Sequence, residues 1–307
     1  PKLVFDPVNE VFKANGAATT FSDLVTHSGG LSTMHDGTAL KWCPHNLFTY
    51  SEDISHAGAS YTVDGIATTE TVMTEDSSTG NHYQYRTIGP TATKVTLSVD
   101  VSSVTNNKVW VYQAAVGTCL VYFDISTGTV GTASGSASPV GAIENLGNGV
   151  YRCSVTTTTT NAIWGYGLTD GTESISYEGD GSASATFENL HLYRSDLGGM
   201  VDNPDRSDSY VPTTTAAVYL PRRGHHIYNG SAWVNNGLLH ESEARTNLVT
   251  YSHDLTQWTN EATTDSEQAV TAPDDSAVAY KVAEDSANTD HCIYPAGVVT
   301  SATRYTL

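Results

Sequence analysis

The stretch Asn46-Leu47-Phe48-Thr49-Tyr50-Ser51-Glu52-Asp53-Ile54-Ser55 governs the organisation of the chain, because it recurs as Asn247-Leu248-Val249-Thr250-Tyr251-Ser252-His253-Asp254-Leu255-Thr256. Six of the ten positions are identical. A second pair of similar strings follows the two copies in the same order, at residues 75–82 and 284–291. The chain therefore contains an internal repeat of a large module, and a repeat has to be recognised before single elements are assigned.

The composition argues against two classes of partner. The 307 residues include 33 Asp and Glu against 14 Lys and Arg, which gives a formal net charge of -19. Nucleic acid and anionic membrane surfaces are bound through clusters of Lys and Arg, so we expect neither as a partner. No apolar run is long enough to span a bilayer, and the N-terminal residues 1–7 lack the apolar core of a signal peptide. The sequence therefore predicts no membrane insertion.

The four cysteines, Cys43, Cys119, Cys153 and Cys292, show no CxxC spacing. We interpret them as reduced, mostly buried thiols of a protein made in a cytosol. A disulfide between Cys119 and Cys153 is the alternative.

The distribution of β-branched and aromatic residues predicts an all-β fold. Short runs rich in Val, Ile, Thr, Tyr, Phe and Trp alternate with Gly, Ser, Asn and Asp, and no helical stretch separates them. Such a pattern is typical of an antiparallel sandwich, here jelly-roll-like modules linked by short β-hairpins. The clearest strand-like runs are residues 94–101, 108–112, 119–125, 150–156, 162–168 and 185–194.

Two dipeptides predict the hairpins. Asp36-Gly37 and Asn229-Gly230 each separate two short strand-like runs, and each lies a short distance ahead of one copy of the repeated string. Asp-Gly and Asn-Gly favour two-residue turns in which both central residues have positive φ. The repeating unit is therefore expected to be a hairpin followed by a larger module.

The repeat predicts four segments. Residues 1–45 form an N-terminal attachment segment with a hairpin, and residues 46–215 form a complete sandwich module. Residues 216–246 form a linking hairpin, and residues 247–307 begin a second, incomplete copy. A half sandwich leaves an open, partly apolar edge. We therefore expect the native chain to continue, or another chain to complete this half.

Four aromatic residues are the candidate binding residues. Trp110 and Tyr112 lie two apart on one predicted strand and therefore share a face, and Trp164 and Tyr166 do the same, with Gly165 and Gly167 on the opposite face. Flat rings in a row suit stacking against the C–H faces of sugars. Filling of the core is the other interpretation of the same residues, because Trp and Tyr commonly serve that purpose.

No strong catalytic motif is present: the sequence lacks GxSxG, a P-loop, HExxH and CxxC. We therefore predict no enzyme and no cofactor, with one possible structural ion. The loop that contains Asp202, Asp205 and Asp208 has oxygen ligands at short spacing and is a weak calcium candidate. It lacks the full twelve-residue calcium-loop pattern, and solvated loop acids are the simpler interpretation.

The repeated string resembles the start of a module that recurs in bacteriophage fibre and head-spike proteins. Residues 122–128 and 147–153 and the closing stretch Ser209-Tyr210-Val211-Pro212-Thr213 resemble it as well, and the linker 237–248 is similar to the segment that introduces such modules. The resemblance covers nearly the whole chain in the same order. It implies a jelly-roll fold similar to carbohydrate-binding modules. Residues 56–69 depart from the family pattern because they contain no Trp, whereas the second copy offers Trp258.

The resemblance implies a virion structural protein, a tail fibre, tail spike or head spike, assembled in the host cytoplasm. The N-terminal segment is expected to bind other virion proteins, and the outer modules to bind host-surface glycan. Weak sites on a homo-oligomer act together by avidity, and the resemblance implies a trimer. One alternative is a polysaccharide depolymerase whose catalytic part lies elsewhere. The other is a ligand-free structural connector.

Overall fold

The computed structural model describes residues 3–88, 93–113, 119–159, 162–240, 254–268 and 279–295. The chain divides into two compact units, Pro1–Leu239 and His240–Leu307. The boundary lies within the predicted linking segment 216–246. Each unit is described by itself below.

The N-terminal part of the first unit contains short strands and a single turn of helix. A capping box stabilises the N-terminus of this helix. The Thr20 hydroxyl accepts a hydrogen bond from the Asp23 amide, and the Asp23 carboxylate accepts one from the Thr20 amide. The elements are β1 (Leu3–Asp6), β2 (Val11–Ala14), β3 (Ala17–Ala18), α1 (Phe21–Leu24), β4 (Thr33–His35) and β5 (Leu40–Trp42).

The sandwich module is built almost entirely of strands. Its strands are β6 (His45–Asn46), β7 (Thr62–Asp64), β8 (Ile66–Thr69), β9 (Val72–Glu75), β10 (Thr79–Asn81), β11 (Tyr83–Thr87), β12 (Thr93–Ser102), β13 (Lys108–Gln113), β14 (Leu120–Asp124), β15 (Thr129–Ser134), β16 (Val140–Gly147), β17 (Val150–Thr159), β18 (Ile163–Leu168), β19 (Ser176–Glu178) and β20 (Ser184–Arg194).

Two six-stranded antiparallel sheets form this sandwich. Sheet A has the strand order β15-β14-β13-β18-β11-β7, and sheet B has the order β16-β17-β12-β20-β9-β8. Alternate residues of both sheets face one continuous core, for example Val111 and Phe123 in sheet A with Leu97 and Phe187 in sheet B. The predicted all-β sandwich is confirmed. All six predicted runs form strands, and their ends differ from the prediction by at most three residues.

The side chain of Asn46, the first residue of the repeated string, forms hydrogen bonds that connect the start of the module to its end. Its Nδ2 donates to the carbonyls of Leu190 and Val211, both at 2.8 Å. Its Oδ1 accepts the amides of Phe48 at 2.9 Å and Leu192 at 3.0 Å. This fully buried side chain thus has all of its bonds satisfied, as a buried amide requires.

The opening and closing strings of the module meet through a second set of bonds. The Ser51 hydroxyl lies 2.6 Å from the Tyr210 hydroxyl and accepts the amide of Thr213 at 2.9 Å. The Thr213 hydroxyl in turn donates to the carbonyl of Phe48. The opening and closing strings are far apart in sequence, and these hydrogen bonds hold them together. The bonds need side-chain hydroxyl groups, which explains why serine, threonine and tyrosine occupy these positions.

Further strands of the first unit follow the module: β21 (Val218–Tyr219), β22 (Arg222–Arg223), β23 (His226–Tyr228), β24 (Trp233–Asn235) and β25 (Leu238–Leu239). Both predicted hairpins are confirmed, as β4–β5 and β23–β24. They also contact each other, since the rings of His35 and Trp233 stack with centroids 3.5 Å apart.

The predicted turn residues are wrong by one position. The amide of Asp36 donates to the carbonyl of Ala39, and that of Asn229 to the carbonyl of Ala232. Each glycine is therefore the first central residue, with φ of +102° at Gly37 and +95° at Gly230. Asp36 and Asn229 precede the turns and accept the amides inside them, which is the role of a short polar side chain rather than of a residue with positive φ.

All four cysteines are free, as predicted, and the alternative disulfide is not formed. Cys119 and Cys153 both lie in the core of the sandwich. Burial raises the pKa of the Cys119 thiol to about 11, so this thiol stays protonated and unreactive. Cys292 is exposed.

The second unit contains β26 (Thr259–Glu261), β27 (Thr263–Gln268), β28 (Ala279–Glu284) and β29 (Cys292–Tyr294). β26 pairs with β29 as β7 pairs with β11, and β27 pairs with β28 as β8 pairs with β9. In the corresponding registers, Cys292 faces Glu261 as Tyr83 faces Asp64. The sequence repeat is therefore also a repeat of strand pairing.

The same side-chain contacts recur in the two copies. The Nδ1 atom of His82 lies 2.6 Å from the carbonyl of Gly65, and that of His291 lies 2.7 Å from the carbonyl of Ala262. Those two carbonyls also accept the amides of Asp76 and Asp285, at 2.8 and 3.0 Å. The repeated histidine is thus a hydrogen-bonding residue that joins two strands. Residues 247–253, the first part of the second string, lie outside the described residues.

Candidate functional site

The four candidate aromatic residues lie on opposite faces of sheet A. Trp164 and Tyr166 point into the core between the sheets, whereas Trp110 and Tyr112 belong to a separate cluster on the other face. The registers explain this arrangement, because Trp110 faces Gly167 and Tyr112 faces Gly165 across the β13–β18 pair. The structure therefore brings the members of each pair together but separates the two pairs.

Trp164 and Tyr166 are completely buried. The Tyr166 ring lies 4.8 Å from the Phe187 ring of sheet B, centroid to centroid, and its hydroxyl accepts a hydrogen bond from the Gln84 amide. Burial raises the pKa of this phenol well above its usual value. Both residues therefore fill the core at the contact between the sheets, with no surface offered to a ligand.

Trp110 and Tyr112 form the base of what we term the outer aromatic surface. Its members are apolar or aromatic side chains on the solvent face of sheet A and beside it. They are Trp110, Tyr112, Leu120 and Tyr122, which are buried, and Tyr83, Tyr85, Ile163 and Ile175, which are partly exposed.

Gly165 and Gly167 make room for the rings of this surface. A Cβ atom at Gly165 would lie 2.1 Å from Cε1 of Tyr112, and one at Gly167 would lie 2.9 Å from Cε2 of Trp110. The rings therefore lie flat over the backbone of β18, and the Trp110 indole N–H donates to the carbonyl of Leu168 at 2.7 Å. Glycine in a strand is here a requirement of ring packing.

Tyr83 and Tyr85 form the exposed part of the surface. They lie two apart on β11, and their rings are nearly parallel, with centroids 5.7 Å apart and planes 17° apart. The Tyr83 ring lies 5.4 Å from the Trp110 ring and 5.7 Å from the Tyr112 ring. The buried rings thus hold two half-exposed tyrosine rings in fixed positions.

Sequence reasoning missed Tyr83 and Tyr85. The alternation in Tyr83-Gln84-Tyr85-Arg86-Thr87 is a strand signal, but its usual meaning is inverted here. Gln84 and Arg86 are buried, and the two tyrosines face outward. Inside the module, the two terminal nitrogens of the Arg86 guanidinium donate to the carbonyl and hydroxyl of Thr49, at 2.9 and 2.8 Å. The available sequence signal for this surface was the presence of two tyrosines two residues apart on one strand and two glycines two residues apart on another.

The outer aromatic surface is electrically neutral near its centre. Burial raises the pKa of the Tyr83, Tyr112 and Tyr122 phenols above their usual value, so all three stay protonated at neutral pH. Glu173 lies at one edge, where a hydrogen bond to Thr132 lowers the pKa of its carboxyl group. Its Oε1 lies 3.9 Å from the Lys108 ammonium. Asp64, the cross-strand neighbour of Tyr83, adds an acidic group at another edge. Neutral rings with acidic groups at the edge suit an uncharged ligand rather than an anion.

The predicted calcium loop is held by arginines. Asp205 pairs with Arg223 at 2.7 Å, and Asp208 pairs with Arg152 at 3.0 Å and Arg206 at 2.9 Å. Asp202 is exposed. Among the described residues, no three His, Cys, Asp or Glu side chains are placed to hold a metal ion. Asp205 and Asp208 therefore act in ion pairs, and the pair between Asp208 and Arg152 connects the loop to the sandwich.

Arg152 links the loop to sheet B. Its Nε and Nη2 donate to both oxygens of Asp100, at 2.8 and 3.0 Å, while Asn189 donates to the second oxygen at 2.8 Å. A bidentate pair of this kind is geometrically specific. Removing Arg152 would leave the buried Asp100 carboxylate without its ion pair, whereas Arg152 without Asp100 would still pair with Asp208.

No protein-family model matches the chain, and no curated protein sequence matches it.

In the part of the chain that the structure describes, no helix is long and apolar enough to cross a membrane.

Proposed function

We propose that this chain is a structural protein of a bacteriophage particle, a tail fibre, tail spike or head spike, that attaches to carbohydrate on the host surface. The observation that carries the proposal is the outer aromatic surface, in which Trp110 and Tyr112 support the half-exposed rings of Tyr83 and Tyr85. Aromatic rings held at fixed positions on a sheet can stack on the C–H faces of a sugar while water keeps its hydroxyls solvated.

The charge of the chain narrows the substrate class. A net charge of -19 repels acidic polysaccharide, and the centre of the outer aromatic surface consists of neutral phenols and an indole. The proposed ligand is therefore a neutral host-surface glycan. Weak contacts of this kind become effective when several copies of the chain act together, which agrees with the proposed homo-oligomer.

The N-terminal segment supports attachment to other virion proteins. β1, β2 and the turn between them expose Leu3, Phe5, Val8 and Val11. The register places Leu3 and Phe5 on the face of the buried Phe12 and Val11 on the opposite face, so both faces of this hairpin offer apolar side chains, which are typical of protein contacts. The first strands are thus the proposed contact with the rest of the particle.

A ligand-free connector is the second candidate. The complete burial of Trp110, Trp164 and Tyr166 favours it, because rings that serve only the core need no ligand. The proposed depolymerase alternative requires a catalytic part, and the described residues offer no observation that favours one.

The test is incubation of the full chain with neutral polysaccharide from the host surface, with binding and polymer length followed together. We expect binding without shortening. Tyr85→Ala should weaken binding by about tenfold or more, since tyrosines at the centre of an interface often contribute on that scale. Tyr294→Ala, at the equivalent place in β29 of the second unit, is the matched control and should have no effect. Shortening of the polymer would establish the depolymerase, and absence of both effects would favour the connector.

A further inference from the structure

Histidine side chains take part in the contacts that join the first hairpin, β4–β5, to the second hairpin, β23–β24. The His35 amide donates to Nδ1 of His225, the residue before β23, at 3.2 Å. The His35 ring also stacks on the Trp233 ring, with planes 10° apart. At the turn, a Cβ atom on Gly37 would lie 3.1 Å from Cδ2 of His226. The two hairpins belong to separate two-stranded sheets, and these side chains form what we term the hairpin contact.

The hydrogen bond between the hairpins requires a neutral imidazole at His225. A backbone amide can only donate, so Nδ1 of His225 accepts and the neutral ring carries its proton on Nε2. Protonation of the ring places an N–H on Nδ1, opposite the N–H of His35. The acceptor is then lost, and two donors face each other. Rotation of the ring does not restore the bond, because both nitrogens of an imidazolium donate.

The surroundings of His225 also disfavour its charged form. Burial lowers its pKa below the ordinary value of 6.5, and the positive charge of Arg222 on β22 acts in the same direction, as do His35 and His226. Arg222 also lowers the pKa of His27. Because the folded pKa of His225 is depressed, the hairpin contact is complete above pH 6.5 and is lost as the pH falls through the folded value.

The carboxylates close in sequence or space to the hairpins are paired with other cations. Asp36, beside His35, lies 2.7 Å from the Lys41 ammonium and accepts amides of its own turn. Glu10 and Asp205 both pair with Arg223. In the described part of the chain, none of these carboxylates is among the groups that shift the pKa of His225. The new positive charge is therefore not neutralised at the hairpin contact.

We propose that the hairpin contact is a pH-sensitive connection, in which protonation of His225 removes the acceptor of the His35 amide and separates the two hairpins. A histidine whose charged form is excluded from the closed state can act as such a switch. The first hairpin is held independently, because the indole of Trp42 at its end donates to Asp196 at 2.8 Å. The second hairpin is therefore the part that moves, and the Trp233 ring leaves His35. This inference does not depend on carbohydrate binding.

The test is a pH titration of the isotope-labelled full chain by NMR. The signals followed are the His225 imidazole, the His35 amide and the Trp233 indole. We expect them to change together, with one midpoint below pH 6.5. Hydrogen exchange of the His35 amide, corrected for the intrinsic effect of pH, should become about tenfold faster or more below that midpoint. A His35 amide that stays unchanged while His225 titrates would overturn the proposal.

Two variants assign the transition to one histidine. His225→Asn keeps an acceptor near the position of Nδ1 but cannot be protonated, so the His35 and Trp233 signals should stay constant between pH 6.5 and the wild-type midpoint. His226→Asn is the matched control. Nδ1 of His226 donates to the Gly224 carbonyl at 2.9 Å, a role that an asparagine amide can take over, so the transition should persist.

The outcomes separate His225 from the other histidines of the two hairpins. A transition that persists in His225→Asn would assign the pH dependence to another group and contradict the proposal. Loss of the transition in His226→Asn would do the same. If His225→Asn fails to fold, the comparison of midpoints in the unmodified chain still decides the question, because a His35 amide that follows a histidine other than His225 would refute the connection.

Discussion

The two copies of the repeat form the same contacts under different degrees of burial. In both, a histidine Nδ1 lies within hydrogen-bond distance of the carbonyl between two strands, and the same strands pair in the same register. In the first copy these contacts lie beside a core of two six-stranded sheets, whereas no described residue of the second unit is buried. Local hydrogen bonds therefore specify the pairing, and burial supplies most of the stability.

The largest expected difference is in amide hydrogen exchange. Amides of β12, the central strand of sheet B, should exchange only through global unfolding, and those of β28 through local opening. With a typical free energy of unfolding, protection should differ by about a thousandfold or more. Exchange mass spectrometry on the full chain measures both strands at once. Equal protection in the two strands would show that burial does not account for the difference.

The next largest expected difference between the units is the loss of stability when an apolar side chain is truncated to alanine. Phe187 is completely buried and contacts the Tyr166 ring, so Phe187→Ala should lower the free energy of unfolding by about 3–5 kcal/mol. Ile293→Ala, at a half-buried position of β29, should lower it by less than about 1 kcal/mol. Urea unfolding followed by tryptophan fluorescence compares them. Similar losses in both variants would argue against a core confined to the first unit.

The pH dependence should have opposite signs in the two units. Burial lowers the pKa of His45 to about 4 and that of His191 to about 3, both below the ordinary value of 6.5. Their contribution to stability is therefore complete above pH 6.5. It is lost as the pH falls toward the folded values, by about 1.4 kcal/mol per pH unit for each site.

His291 in the second unit behaves in the opposite way. A hydrogen bond to the carbonyl of Ala262 raises its pKa above 6.5. Its contribution is thus present below the ordinary pKa and lost as the pH rises through the folded value. NMR titration of the imidazole protons checks all three histidines. The prediction fails if His45 titrates above His291.

Removal of the repeated histidine is the smallest of these effects. His82 is completely buried and lies within hydrogen-bond distance of the Gly65 carbonyl, so His82→Ala should destabilise the module by about 1–3 kcal/mol. Replacing the exposed His291 by Ala should lower the free energy of unfolding by only a few tenths of a kcal/mol. Thermal unfolding monitored by circular dichroism ranks the two variants, and a larger shift for His291→Ala would reverse the comparison.

Much of the fold could be predicted from the sequence because strand signals and turn residues are local. The six predicted runs became strands of the sandwich, and Gly37 and Gly230 marked the hairpins. The turn position was wrong because a pair such as Asp36-Gly37 suits two placements, and only the bond from Asp36 to Ala39 distinguishes them.

The site could be predicted only in part. The shared face of Trp110 and Tyr112 followed from their spacing, but spacing cannot tell which face of a strand meets the other sheet. Tyr83 and Tyr85 were missed because buried Gln84 and Arg86 invert the expected pattern of β11. Their burial depends on partners distant in sequence, such as Thr49 for Arg86, which no local signal reveals.

The most direct test of the central claim is NMR mapping of a neutral host-surface oligosaccharide on the isotope-labelled full chain. The account predicts that shifts concentrate on β11, β13 and β18 around Tyr83, Tyr85 and Trp110, and that Tyr85→Ala suppresses them. Shifts confined to the hairpins or to the second unit, or no shifts with any neutral oligosaccharide of the host, would contradict the claim that the outer aromatic surface binds carbohydrate.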